Sequence, residues 1–200
     1  MTELISLNSE FATNRLVLLH GWGADAQDLV PVGKLLTEGF KERFEIVSLS
    51  APQPHPSGFG RQWYPLYPHQ WKEVPNAVLN LERCLNNLCF DHIPLEKTLL
   101  LGFSQGGAMA VSAGCDMPLR GIISCSGYMH PGWVAPKRRP PILLIHGNED
   151  EIVPISAARQ LLNNLDEDKG YLDSYFFKGG HQIPLDAIKK ISNILSSWLI

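Results

Sequence analysis

The sequence has no excess of charge of either sign. Its 17 Lys and Arg stand against 20 Asp and Glu, for a formal net charge of −3. That balance leaves no footprint for nucleic acid or an anionic membrane. Long hydrophobic runs are missing too. Stretches such as Leu16 to Leu19 and Ile142 to Ile145 fall far short of the ~18 apolar residues that span a bilayer. Near the start, Glu3 stands where a basic segment would lead into an apolar one, so no secretory signal is read. The closing Ser197-Trp198-Leu199-Ile200 matches no lipidation motif. Cysteine is scarce. Cys84, Cys89, Cys115 and Cys125 make no Cys-x-x-Cys pair and no zinc spacing with histidine. Reduced thiols in a cytoplasmic protein are expected, with no metal and no organic cofactor. No repeat, low-complexity tract or linker divides the chain, so residues 1–200 read as one domain.

What is present is a lightly charged chain, 44% hydrophobic and 18% charged. This is the composition of a compact fold, not of a disordered segment. Short apolar runs alternate with longer helix-period segments, which predicts βαβ units and a mostly parallel sheet with helices on both faces. The strand candidates are Leu16–His20, Ile46–Ser50, Thr98–Phe103, Gly121–Ser126, Ile142–His146 and Ser174–Phe177, with a weaker one at Leu4–Leu7. Most are nearly continuous in apolar residues, as strands covered on both faces should be. Val74, Ala77, Val78, Leu81, Leu85 and Leu88 recur at helix period, with Pro75 suited to the first turn. Gln105 to Gly114 is small and apolar, as a helix buried against a sheet would be. Ser156 can cap a helix carrying Ala158, Leu161, Leu162 and Leu165. A last helix presents Leu185, Ile188, Ile191, Leu195 and Trp198. Pro31 starts another helix, after an irregular turn over Asp25–Val30.

The segment from Ala51 to Trp71 stands apart, with five prolines among Phe59, Trp63, Tyr64, Tyr67 and Trp71. A long loop stiffened in this way is either a packed surface element or part of a binding site.

Gly102-Phe103-Ser104-Gln105-Gly106 is a Gly-x-Ser-x-Gly motif with an apolar strand before it and a small-residue helix after it. Such a turn lifts a serine hydroxyl above the sheet, and glycine at 102 and 106 lets strand and helix approach. Ser104 then sits at a helix N-terminus, which favours developing negative charge. Serine needs a base. Of the seven histidines, only His181 follows the acids that come after the strand Ile142–His146, in the order serine, acid, histidine. The acid is sought just past the strand Ile142–His146, where Glu149, Asp150 and Glu151 crowd together; spacing does not choose among them. Asp166, Asp168 and Asp173 are more distant alternatives. After the first strong strand comes His20-Gly21-Trp22-Gly23. Its glycines suit a loop that turns a backbone N–H into a cavity, so the oxyanion donors read as the N–H groups of Trp22 and Gln105. His20, ahead of Ser104 in the chain, reads as structural.

These residues resemble the phospholipase/carboxylesterase family of the α/β-hydrolase fold, which includes bacterial carboxylesterases and acyl-protein thioesterases. Four segments carry the resemblance across nearly the whole chain: Leu19 to Gly23, Gly102 to Gly107, His146 to Pro154, and Gly180-His181. The resemblance places the acid of the family's His-Gly-x-x-Asp pattern on Asp150. It carries the serine and histidine to Ser104 and His181, and the oxyanion donors to Trp22 and Gln105. Trp22 stands where many relatives have a smaller apolar residue, which narrows the acyl pocket. The stretch Gly60-Arg61-Gln62-Trp63-Tyr64 resembles the bacterial esterase branch, implying small acyl esters. Only 14 residues separate Ser126 from Pro141, too few for a helical cap, so specificity falls to loops. Trp63 and Tyr128 are the candidate substrate contacts. The implied activity is hydrolysis of short- to medium-chain acyl esters through an acyl-enzyme on Ser104. Thioesterase and lysophospholipase activity are the alternatives, and a non-catalytic ligand receptor of the same fold is a more distant one. The implied partner is a small-molecule or lipid acyl ester, with a homodimer left open.

Overall fold

The computed structural model describes residues 4–7, 11–88, 92–165 and 171–199. Cys89, Asp166 and Asp168 lie outside these residues.

One seven-stranded sheet organises the chain. Its strands are β1 (Leu4–Leu7), β2 (Asn14–Leu19), β3 (Phe44–Leu49), β6 (Thr98–Phe103), β7 (Gly121–Cys125), β8 (Ile142–Gly147) and β9 (Leu172–Phe177). Their order is β1-β3-β2-β6-β7-β8-β9. β1 runs antiparallel to β3, and every other pair is parallel. Strands buried on both faces read as continuous apolar runs, and residues alternate between two cores. Val17, Leu19, Val47, Leu100, Ile122 and Leu144 face one core. Leu16, Leu18, Ile46, Leu99, Leu101, Ile123 and Ile145 face the other.

Helices close both faces. The first core receives α2 (Val74–Leu88), α3 (Gln105–Gly114) and α4 (Ile155–Asn164). The second receives α1 (Val30–Thr37) and α5 (Leu185–Trp198). All ten residues of α3 are buried, which explains why its sequence is so small and apolar. A two-residue ribbon, β4 (Gln53–Pro54) with β5 (Arg61–Gln62), lies inside the aromatic segment; nothing in the sequence predicts it. Ser156 is not a cap. α4 begins at Ile155, with Pro154 in the capping position and no side-chain cap. Residues 126–141, between β7 and β8, contain no helix, as their shortness requires. Among the described residues no helix is long and apolar enough to cross a membrane.

Candidate active site

The loops leaving the C-terminal ends of β2, β6, β7, β8 and β9 meet above one edge of the sheet, where ligands of open α/β sheets bind. At the end of β6 the chain turns sharply into α3. Ser104 occupies the turn with φ 55° and ψ −117°, a conformation that costs a non-glycine residue about 1–3 kcal/mol and concentrates at functional sites. A Cβ on Gly102 would collide with the Gly106 carbonyl, and one on Gly106 with the Leu19 carbonyl. The strand–helix approach therefore forces glycine at both positions. The Ser104 N–H donates to the Cys125 carbonyl at 2.8 Å, tying the turn to the neighbouring strand.

Asp150 follows β8 and is 6% exposed. Its Oδ1 accepts the N–H groups of Ile152 (3.0 Å) and Val153 (2.8 Å), which close a tight turn around it. Its Oδ2 accepts His181 Nδ1–H at 2.7 Å. Burial alone would raise this carboxyl, but the hydrogen bonds from His181 and the Val153 N–H prevail and hold it below the ordinary carboxylate value. With Nδ1 donating to a carboxylate, the lone pair of His181 lies on Nε2, the tautomer a general base needs. The β9–α5 loop brings His181 in: Asn148 N–H bonds Phe177 O at 2.8 Å and Glu149 N–H bonds Gly179 O at 2.9 Å. The His181 ring packs 4.7 Å, centroid to centroid, from Phe103, the residue before Ser104. Among the described residues no hydrogen bond joins Ser104 Oγ to His181; such bonds often tighten only when substrate is bound.

The other acid candidates are placed differently. Glu149 and Glu151 are exposed, and Asp173 pairs with Lys190 at 2.8 Å. Asp150 is the acid at the histidine.

Gly21 brings the β2 loop against the turn: a Cβ there would lie 3.4 Å from Ser104 Cβ. Among the described residues no acceptor takes the backbone N–H of Trp22 or Gln105. The Trp22 indole donates to Gln62 Oε1 at 2.9 Å and packs edge-on against His55 at 4.1 Å. The aromatic segment backs this loop. Arg61 N–H bonds Ala24 O at 2.7 Å, and Arg61 O accepts Gly23 N–H at 2.9 Å. The Arg61 guanidinium bonds the carbonyls of Ala51 and Pro52.

Trp63 lies beneath the loop after β2. It is 3% exposed, and its indole N–H is engaged by His20 O at 2.9 Å. Buried and bonded, it supports the loop that carries Trp22, and it lines a cavity with Ala51, Pro52, Ala77 and Leu81. Tyr128 is half-buried on the segment leaving β7. His20 is structural as read: Ala51 N–H donates to its Nε2 at 3.0 Å, so Nδ1 carries the proton toward Gly21 O at 2.7 Å. Burial holds its pKa down.

Sequence reasoning missed three supporting groups. His146 Nε2–H donates to Val153 O at 2.7 Å and lies 3.5 Å from Asp150 Oδ2. The Gln105 side chain accepts Trp63 N–H at 3.0 Å and donates to Tyr64 O at 2.7 Å. Ser126, with φ 49°, is buried within electrostatic reach of Asp150, yet its Oγ falls outside hydrogen-bond geometry. The first stands inside the motif around Asp150, where its position was a usable signal; the other two carry none. No group of three or more His, Cys, Asp or Glu among the described residues is placed to hold a metal ion.

Comparison with known proteins gives the family. A family model described as Phospholipase/Carboxylesterase matches residues 2–199. An acyl-protein thioesterase 1 homolog from Dictyostelium discoideum is 24% identical over 76% of this chain and 78% of its own length. Acyl-protein thioesterase 1 of Schizosaccharomyces pombe is 32% identical over 52% of this chain and 54% of its own. Among solved structures, esterase PE8 matches with a TM-score of 0.87 at 28% identity, covering 98% of this chain and 97% of that one. The chain belongs to the phospholipase/carboxylesterase family and is a serine hydrolase of the α/β-hydrolase fold, of the carboxylesterase or thioesterase type.

Proposed function

We propose that this chain hydrolyses short- to medium-chain carboxylic esters through an acyl-enzyme on Ser104. The observation that carries the reading is the 2.7 Å hydrogen bond from His181 to a buried Asp150, beside the strained turn at Ser104. In this reading Ser104 Oγ attacks the acyl carbonyl while His181 Nε2 takes its proton. Asp150 fixes the histidine tautomer and stabilises the imidazolium. The unengaged N–H groups of Trp22 and Gln105 hold the developing oxyanion, at the N-terminus of α3. His181 returns the proton to the leaving alcohol, and a water activated by the same histidine releases the acid. The absence of a cap helix between β7 and β8 and the bulk of Trp22 support small acyl groups. The thioesterase relatives support a second reading in which a thiol leaves, and the triad serves it without change. The buried free thiols of Cys115 and Cys125 support a cytoplasmic setting.

The test is labelling with a fluorophosphonate probe and peptide mapping, with Ser104→Ala as control. Label confined to Ser104 is expected. Absence of label on folded protein, or hydrolysis by folded Ser104→Ala, overturns the reading. A panel of matched esters, thioesters and lysophospholipids separates the leaving groups.

A further inference from the structure

Four polar side chains that the proposed reaction does not use form one chain. Ser112 Oγ lies 2.6 Å from His130 Nδ1, His130 Nε2 2.7 Å from Tyr64 OH, and Tyr64 OH 2.6 Å from Tyr128 OH. Ser112, His130 and Tyr64 are buried; only Tyr128 reaches the half-exposed surface. The chain is registered on the Ser104 turn. Ser112 belongs to α3, which follows Ser104 directly. Tyr64 is held through its carbonyl by Gln105. Tyr128 lies three residues past Cys125, whose carbonyl accepts the Ser104 N–H, so the backbone keeps its Cα within about 11 Å of that carbon.

A fully bonded buried network gives little stability over an apolar replacement of the same shape. Its open end is therefore the informative part, and proton counting fixes what that end presents. A neutral imidazole has one N–H. If Tyr128 donated inward, Tyr64 would donate to Nε2 and Nδ1–H to Ser112. The Ser112 proton would then be buried and idle, since His130 is its one partner among the described residues. In the opposite direction Ser112 O–H donates to Nδ1, Nε2–H to Tyr64, and Tyr64 O–H to the Tyr128 oxygen. Every buried hydrogen now has an acceptor, and the one left over is the Tyr128 O–H. Successive bonds in one direction also polarise one another and strengthen that terminal donor. Burial pushes His130 down to about 4 and Tyr128 up to about 12, so both are neutral at physiological pH.

We propose that Tyr128 is a specificity-determining donor: its O–H bonds an acceptor oxygen of the substrate away from the reacting carbonyl. The enzyme would then favour esters bearing an ether, hydroxyl or second ester oxygen over purely alkyl ones. Tyr64, His130 and Ser112 are positioning residues that aim this donor. The proposal rests on the Ser104 reading.

Two matched ester pairs test it, one exchanging a methylene for an ether oxygen in the acyl chain, the other in the alcohol. The quantity read is the kcat/KM ratio within a pair, compared between variants, which cancels intrinsic reactivity. Tyr128→Phe is expected to lower the preference for the ether member about five-fold in one pair, the size of one hydrogen bond. Tyr64→Phe, which keeps the Tyr128 hydroxyl but cuts its supply, is expected to give an intermediate loss. Unchanged ratios in both pairs for folded Tyr128→Phe overturn the proposal, as does a Tyr64→Phe ratio equal to that of the parent. Hydrolysis by Ser104→Ala would instead overturn the nucleophile assignment, a separable result.

Discussion

His130 should make this fold lose stability under mildly acid conditions, in a way one substitution can remove. The side chain is 2% exposed, and burial lowers its pKa from 6.5 to about 4. A histidine with a depressed folded pKa binds fewer protons folded than unfolded between those two values. Its contribution is therefore complete above the unfolded pKa and is lost as pH falls towards the folded one. At about 1.4 kcal/mol per unit, the gap is worth about 3 kcal/mol in full, of which about 2 kcal/mol disappears between pH 7 and pH 5. Asp150 and Asp173 are held below the ordinary carboxylate value and titrate under this window, and Asp28 and Glu82, which desolvation raises, are common to parent and variant. The lowered pKa values of His20 and His146 add to the loss but are common to parent and variant. His130→Gln keeps one donor and one acceptor in a neutral side chain. Urea unfolding of both proteins at pH 7 and pH 5 gives the comparison. The parent is expected to lose about 2 kcal/mol more than the variant over that interval. Equal losses would refute the reasoning, whatever the absolute stabilities, because only proton binding at residue 130 separates the two slopes.

Two further outcomes follow from the site. Asp150→Asn keeps acceptors for the Ile152 and Val153 N–H groups but turns an amide N–H₂ toward His181, forcing the wrong tautomer. kcat is expected to fall by about 10⁴ with the melting temperature little changed, measured by steady-state kinetics and thermal unfolding. Gly60→Ala acts from outside the triad: Gly60 has φ +72°, and a Cβ there would collide with the Gly23 carbonyl. Since that backbone carries the Trp22 N–H, both the melting temperature and kcat should drop; a variant losing stability but keeping kcat would show that the aromatic segment does not support the loop.

How much of this was legible in the sequence follows from how local each feature is. β6 and α3 were read to the residue because a doubly covered strand and a buried helix each write a continuous pattern. The β4–β5 ribbon, two residues per strand, writes none. Ser156 has the right chemistry for a cap, but Pro154 already fixes the entry into α4 two residues earlier. The choice of Asp150 over Glu149 and Glu151 came from family resemblance, and the structure supplies a physical reason. The turn from Asp150 to Val153 aims two N–H groups at that one carboxylate while its neighbours face solvent.

Trp63 shows the opposite limit. An aromatic residue in a proline-rich loop carries the same letters whether its ring faces a ligand or the loop's own interior. Its indole N–H bonds the His20 carbonyl across 43 positions, a contact no local pattern announces. The Ser112–His130–Tyr64–Tyr128 chain is the extreme case, with its partners separated by up to 66 positions. Ser112 and Tyr64 read as ordinary helix and loop residues, and Tyr128 only as a loop residue available to touch substrate where no cap fits. Backbone geometry of a nucleophile turn must be built from neighbours, since glycine is needed where chain meets chain, and so it leaves a motif. Groups that orient a substrate need only converge in space, and the fold collects them from separate elements without any fixed spacing. A substitution such as Tyr64→Phe should therefore leave the motif intact and still alter which ester is preferred.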